Sequence, residues 1–329
     1  MHFKPLALMN ATPLAIIIPA FKADFFAAAL ASIAQQQVRN FRVYVGDDAS
    51  PADLWRICKP FADQFDLHYV RFETNLGQRD LVAHWNRCVH LSSEPWVWLF
   101  SDDDLMEPAC TARLQDAINK QGSSVEVFHF NVTKIDGAGA VLARLPAFPP
   151  LLSGRAFVLG RLQFALQSFA PDFVFARAAF DRVGGFVNFP LAWCSDDASW
   201  VAMAGQKGIC TLDGPRVHWR LSGQNISAKS PASHAQMFEA LVQYLAWLNQ
   251  HLLAYPPQRG DLANEQVLAW APTWFFRQLD YMQAHLTVQQ AWQLTWQLRN
   301  LPGQGAVLWL WRGARYIVRQ WLQAEGIVK

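Results

Sequence analysis

The sequence predicts an α/β domain built on a mixed, mainly parallel sheet flanked by helices, followed by an all-helical region. Three observations predict it. Between residues 14 and 100, short apolar runs alternate with stretches of helical spacing. A polar or acidic cluster follows each run, where the carboxyl ends of parallel strands would lie. From about Pro231 the strand signals stop and helical patterns take over.

The first strand is LAIII (14–18), and the apolar-faced stretch 25–34 is the first helix. FRVYV (41–45) is the second strand, a helical pattern covers about 52–65, and LHYVRF (67–72) is the third strand. DLVAHWNRCVHL (80–91) is helical, and WVWLF (96–100) is apolar on both faces, as a doubly covered strand must be. Further on, VEVFHFNVTKI (125–135) is a strand, DGAG (136–139) a turn, and PAFPP (146–150) a break before a helical stretch. DFVFARAAFDRVGGF (172–186) and PRVHWRLSGQNIS (215–227) flank a short helix beginning near SDDASW (195–200). Together these make one domain, residues 1–230. The helical region, 231–329, is broken at YPPQRG (255–260), near HLTV (285–288) and at LPGQG (301–305). Trp247, Trp270, Trp274, Trp292, Trp296, Trp309, Trp311 and Trp321 all fall in it.

Composition narrows the function. A chain of 329 residues that is 52% hydrophobic is a core-forming globular protein, and a formal charge of +2 with scattered Lys and Arg argues against a nucleic-acid partner. Five cysteines form no CxxC pair, which favours free thiols in a reducing compartment. Proline and polar residues interrupt the apolar N-terminal stretch before a signal-peptide core builds up, and no segment reaches the roughly 18–20 apolar residues of a membrane span. A cytoplasmic enzyme is the expectation.

The post-strand segments are PAFK (19–22), GDDAS (46–50), ETNLGQ (73–78) and SDDD (101–104), so two acidic clusters share one rim. Two carboxylates about 4 Å apart repel by roughly 4 kcal/mol at an effective dielectric near 20, so three in a row call for a positive partner. One solution is a helix N-terminus, with Ser101 or an aspartate as cap. The other is Mg²⁺ or Mn²⁺, held by one or two carboxylates together with substrate phosphates. Asp47 or Asp48 would then meet a base or ribose, although such loops also arise for turn reasons. No GxxxxGK[ST] and no GxGxxG follows a strand, which argues against a P-loop ATPase or a dinucleotide enzyme. Arg79 and Lys22 lie on the same rim, within reach of phosphates.

Taken in order, LAIIIPAF, FRVYVGDDAS, NLG with Asn86 beyond it, and WVWLFSDDDLMEP resemble the motifs of the family 2 glycosyltransferases with the GT-A fold, over about residues 13–227. The resemblance implies inverting transfer from a nucleoside-diphosphate sugar donor to a saccharide or lipid-linked acceptor, in surface polysaccharide or glycolipid biosynthesis. It implies that Pro19 and Phe21 shape the nucleotide pocket and that Asp48 contacts the base, with Asn75 also on the donor side. Asp102 would face the ribose or metal, Asp103 would be the leading metal ligand, and Asp104 would support the loop or bind through water. Ser101 stands where many relatives carry aspartate. CSDDASW (194–200) resembles the acidic pair beneath the acceptor, with Asp196 where glutamate is usual and Asp197 as general base. Read without the resemblance, Ser195 and the two acids are a helix cap. VHWRLSGQNIS resembles the loop that closes over the donor, with Arg220 as diphosphate partner. Ser222 occupies the usual histidine position, leaving His218 as the substitute metal ligand.

The tail AVLWLWRGARYIVRQWLQ (306–323) sets Arg312, Arg315 and Arg319 at helical spacing among Trp309, Leu310, Ile317, Trp321 and Leu322. It reads either as a helix docked on the protein or a second subunit, or as an interfacial helix. The latter would place the enzyme peripherally at the inner membrane face. Two rival functions remain: a nucleotidyltransferase, which should carry a basic glycine-rich loop that PAFKADFF lacks, and a nucleotide-sugar-binding protein without turnover.

Overall fold

A computed structural model describes residues 14–223, 233–282, 286–299, 301 and 305–324. The first half alternates as expected: β1 (Leu14–Ala20), α1 (Phe26–Ala34), β2 (Phe41–Asp47), α2 (Leu54–Cys58), β3 (Asp66–Arg71), α3 (Leu81–Val89) and β4 (Trp96–Leu99). There follow β5 (Leu105–Met106), α4 (Cys110–Gln121), β6 (Val127–Ile135), β7 (Val141–Arg144), β8 (Leu151–Leu152) and α5 (Gly154–Leu162). The sheet is completed around β9 (Phe173–Ala176), α6 (Arg177–Val183), α7 (Ser195–Ala204) and β10 (Ile209–Arg220). The rest is helical: α8 (His234–Ala254), α9 (Asn264–Leu268), α10 (Ala271–Met282), α11 (Val288–Leu298) and α12 (Ala306–Ala324).

The strands form one sheet in the order β3-β2-β1-β4-β9-β6-β10-β5, with β7 on β6 and β8 on β10. β1 lies parallel to β2 and β4, β2 to β3, and β6 to β10. β9 runs antiparallel between β4 and β6, so the sheet is mixed. β1 and β4 are buried along nearly their whole length because helices cover both faces, which is what their unbroken apolar runs encode. The stretch read as a helix over 52–65 is shorter: α2 stops at Cys58 and a single 3₁₀ turn, Lys59–Phe61, follows. Pro60, without an amide proton, cannot continue the α-helical ladder. β10 carries a bulge between Leu212 and Val217, where Asp213, Gly214 and Pro215 interrupt the pairing.

One apolar cluster runs from the sheet into the helical region, from Ala15 and Val97 through Phe173 and Trp200 to Tyr244, Trp274 and Trp309. α8 packs on α7 and on the turn Pro190–Ala192 that precedes it. The helical region thereby forms a wall of the same body that holds the rim. No described helix is long and apolar enough to cross a membrane.

Candidate active site

The segment after β4 is built as a rim. No helix follows SDDD: Leu105–Met106 is a strand and α4 begins only at Cys110, so these aspartates cap nothing. Asp102, Asp103 and Asp104 are each at most 4% exposed. Asp102 Oδ2 accepts from the amides of Phe21 (2.9 Å) and Lys22 (2.8 Å), which ties the loop after β1 to the loop after β4. The Lys22 ammonium bonds to Asp103 and lies 3.3 Å from Asp102. It is a positive partner that the sequence demanded, and it comes from the neighbouring strand's loop. Asp104 turns the other way, accepting from the Arg220 amide at 2.7 Å. Burial, together with the Asp103 charge, pushes its carboxyl up to about 8. Burial also raises Asp102, with Lys22 opposing the shift.

Arg220 is buried beneath this segment. Its Nε donates to the Asp103 carbonyl at 2.8 Å, one amino group donates to the carbonyls of Asp136 (2.9 Å) and Gly137 (3.0 Å), and its guanidinium lies 4.6 Å from the Phe25 ring centre. It clamps the aspartate loop from below. His218 Nε2 is 3.1 Å from Glu107 Oε1, across the β5–β10 pairing. Ser222 Oγ, by contrast, reaches Asp103 Oδ2 at 3.4 Å. The part of that loop beyond Gly223, read at 224–227, lies outside the described residues. Among the described residues no three His, Cys, Asp or Glu side chains converge as a ready-made metal cage.

GDDAS faces inward. Asp47 accepts from Tyr69 Oη (2.5 Å), Arg71 (2.6 Å) and the Ser50 amide (2.8 Å). Asp48 accepts from the amides of Leu76 and Gly77, both at 2.8 Å, and from Arg87. A buried carboxylate must find such donors. Where the resemblance implies a base contact for Asp48, its oxygens here anchor the NLG loop. Asn75 closes that loop by accepting from the Gln78 amide at 2.9 Å. Pro19 sits near the end of β1 opposite Gly46, and Phe21 is exposed on the rim beside it. Arg79 lines a cleft of about 290 Å³ with Asp80, Asn188 and the 189–192 turn.

That turn leads into the second acidic pair. Leu191, Ala192 and Cys194 all have positive φ (58°, 54° and 64°), an uncommon conformation for side-chain-bearing residues and one that clusters at functional sites. Ser195 does not cap α7; its Oγ accepts from the Phe189 amide at 3.0 Å and so holds the turn. Asp197 is 2% exposed, with Oδ2 accepting from Arg161 Nε at 2.7 Å and Oδ1 without a hydrogen-bond partner. Asp196 is half-buried. Loss of water and the adjacent Asp197 carboxylate raise it to about 7, while Arg161 pulls the other way.

Three residues here escaped sequence reasoning. Arg161, in an ordinary amphipathic stretch, is the partner of Asp197. Tyr244 of α8 feels the charge of Asp197 and brings the helical region to the pair. Asp172, at the start of β9, is fully buried with Oδ1 unpartnered, and its carboxyl is held well above the usual range by burial and by the charges of Asp104 and Asp196. Both acidic clusters thus act on one interior residue.

A curled mixed sheet with an acidic rim at its parallel carboxyl ends, a second acidic pair opening a helix, and a helical wall behind it define the GT-A class of glycosyltransferases. The family model for glycosyl transferase family 2 matches residues 15–183, more than half of the chain, and the protein belongs to that family. Among solved structures, S. aureus TarS 1–349 is similar in fold, with 13% identity over 95% of this chain and 91% of TarS 1–349 and a TM-score of 0.67. The same fragment in complex with UDP-GlcNAc aligns at 14% identity over 94% of this chain and 92% of that one, with a TM-score of 0.62. In complex with UDP it aligns at 13% identity over 94% and 91%, with a TM-score of 0.63. No curated protein matches the chain.

Proposed function

We propose that this glycosyltransferase moves a sugar from a nucleoside diphosphate to an acceptor hydroxyl with inversion, using Asp196 as the base. The observation that supports this reading is that the acidic segment after β4 and the acidic pair opening α7 both act on the buried Asp172, as a donor rim and an acceptor side of one site would. Asp196 takes the proton of the acceptor hydroxyl as its oxygen bonds to the anomeric carbon and the bond from that carbon to the diphosphate oxygen breaks. Of the two aspartates, Asp196 is the accessible one with a proton affinity suited to neutral pH, whereas Asp197 is committed to Arg161. Asp197 and Arg161 orient the first turn of α7.

The hard oxygens of Asp103 and Asp102 fit Mg²⁺ or Mn²⁺ as an open site completed by phosphate oxygens, not as a closed cage. A bound ion would neutralise charge developing on the departing diphosphate. A second version is favoured by Lys22, whose ammonium already contacts Asp103: it would meet the diphosphate itself, without an ion. A role in polysaccharide or glycolipid assembly rests on family resemblance alone.

The test is a thermal-shift screen of UDP, GDP, dTDP and CDP, each with Mn²⁺, Mg²⁺ or chelator, on wild type and Asp103→Ala. A nucleotide at a hundred times its dissociation constant stabilises by about 2.7 kcal/mol, which is readily seen. One diphosphate is expected to shift the wild type with metal and to fail on the variant. A shift that survives chelator and is lost in Lys22→Met would select the metal-free version. No shift with any of them would sink the donor assignment.

A further inference from the structure

Helix α12 is apolar on two opposite sides. Its inner side joins the bundle: Trp309 is fully buried edge-on to Phe275, with ring centres 5.9 Å apart, and Tyr316 packs on Phe276 at 5.4 Å. Its outer side carries Val307, Trp311, Val318 and Trp321, which are 79, 53, 54 and 58% exposed. Their spacing by multiples of three and four residues sets them on one face. On the adjoining α11, Val288, Trp292 and Trp296 repeat the pattern at 63, 62 and 68% exposure. Exposed apolar residues massed in this way mark an interaction site.

Charge decides the partner. Between residues 281 and 324 the sequence holds Arg299, Arg312, Arg315 and Arg319 and no Asp or Glu, and Arg319 pairs with Asp280 of α10. Arg299 lies 3.9 Å from the Trp296 ring centre and Arg315 lies 4.6 Å from that of Trp311, so cations border the exposed aromatics. A second copy of this face would set arginine against arginine. An anionic lipid surface offers phosphate to the guanidinium groups and an apolar layer to the indoles. With no described helix able to cross a bilayer, the face would lie on the surface rather than span it.

We propose that the outer face of α12, joined by the tryptophan strip of α11, binds an anionic lipid bilayer surface, with the indoles in the headgroup layer and Arg299 and Arg315 at the phosphates. This goes beyond the catalytic assignment and does not depend on it. The experiment is flotation of the full chain with vesicles of phosphatidylcholine alone and of phosphatidylcholine mixed equally with phosphatidylglycerol, at low and high salt. The bound fraction is expected to be about tenfold higher on the anionic vesicles, to fall as salt screens the arginines, and to drop about tenfold in Trp311→Glu/Val318→Glu. Both substitutions are at exposed positions, so the variant should keep the wild-type melting temperature. Equal binding to both vesicle types, or no binding in a protein that elutes as a dimer separated by the same double substitution, would overturn the proposal in favour of nonspecific adhesion or of a second copy.

Discussion

Asp196 gains its proton affinity from a position that costs stability, and this separates its roles experimentally. With a folded-state value of about 7 against an unfolded value near 4, the folded chain binds more protons between those pH values. The contribution of this group to stability therefore declines as pH rises from about 4 to about 7, and the deficit is complete above that. Asp196→Asn is expected to raise the melting temperature at pH 8 and to change it little near pH 4, while lowering kcat by at least a hundredfold. The wild-type kcat/KM should climb through an acid limb near pH 7. Asp197→Asn should instead destabilise the protein at pH 8, because it leaves the partly buried Arg161 without its counter-charge. If Asp197→Asn lost turnover with unchanged stability and Asp196→Asn remained active, the two roles would have to be exchanged.

At the scale of elements, the loops after β2 and β3 are held by one side chain, and a glycine sets how closely they meet. A Cβ built on Gly77 would lie 2.6 Å from Asp48 Oδ2, which accepts from the Gly77 amide and belongs to a carboxylate whose other oxygen is fixed by the Leu76 amide and Arg87. Gly77→Ala is expected to destabilise by about 1–3 kcal/mol and to weaken nucleotide binding, checked by denaturant unfolding and by the same thermal-shift titration. The contact shows where sequence reasoning stops. The strands of the first half, the turn at 136–139 and the helix opening at Ser195 were legible, because burial on both faces writes unbroken apolar runs and turns write glycine and aspartate. The antiparallel direction of β9 was not, since an apolar run carries no arrow. That Asp48 grips Leu76 and Gly77 was hidden for the same reason as the Arg161–Asp197 pair: a carboxylate reads alike whether its donors are a ligand or a backbone far along the chain. The aspartates after β4 were legible as a rim, yet their separation into Asp102 and Asp103 facing Lys22 and Asp104 facing Arg220 depended on contacts between remote strands.

For the whole molecule, the question is whether the helical region is a separate unit or part of the enzyme's body. A line of ring contacts runs from the sheet outward: Phe173 stacks on Trp200 at 4.8 Å, Phe189 meets Tyr244 at 6.0 Å, Tyr244 meets Trp274 at 5.4 Å, and Phe275 meets Trp309 at 5.9 Å. Phe189 belongs to the strained turn that leads into the Asp196–Asp197 pair, and Tyr244 feels the charge of Asp197. Removing α8–α12 would expose the side of α7 that packs on α8 and leave the turn without its packing partner. Large apolar truncations of this kind cost several kcal/mol per buried side chain, a sum comparable with the whole stability of a domain. The full chain is therefore expected to melt in one calorimetric transition whose calorimetric and van't Hoff enthalpies agree. A chain ending at residue 230 is expected to lose its near-ultraviolet circular dichroism and its response to nucleotide together. Two separable transitions, or a truncated chain that still binds nucleotide with unchanged affinity, would mean that the aromatic line joins two independent units and that the helices serve only the outer surface.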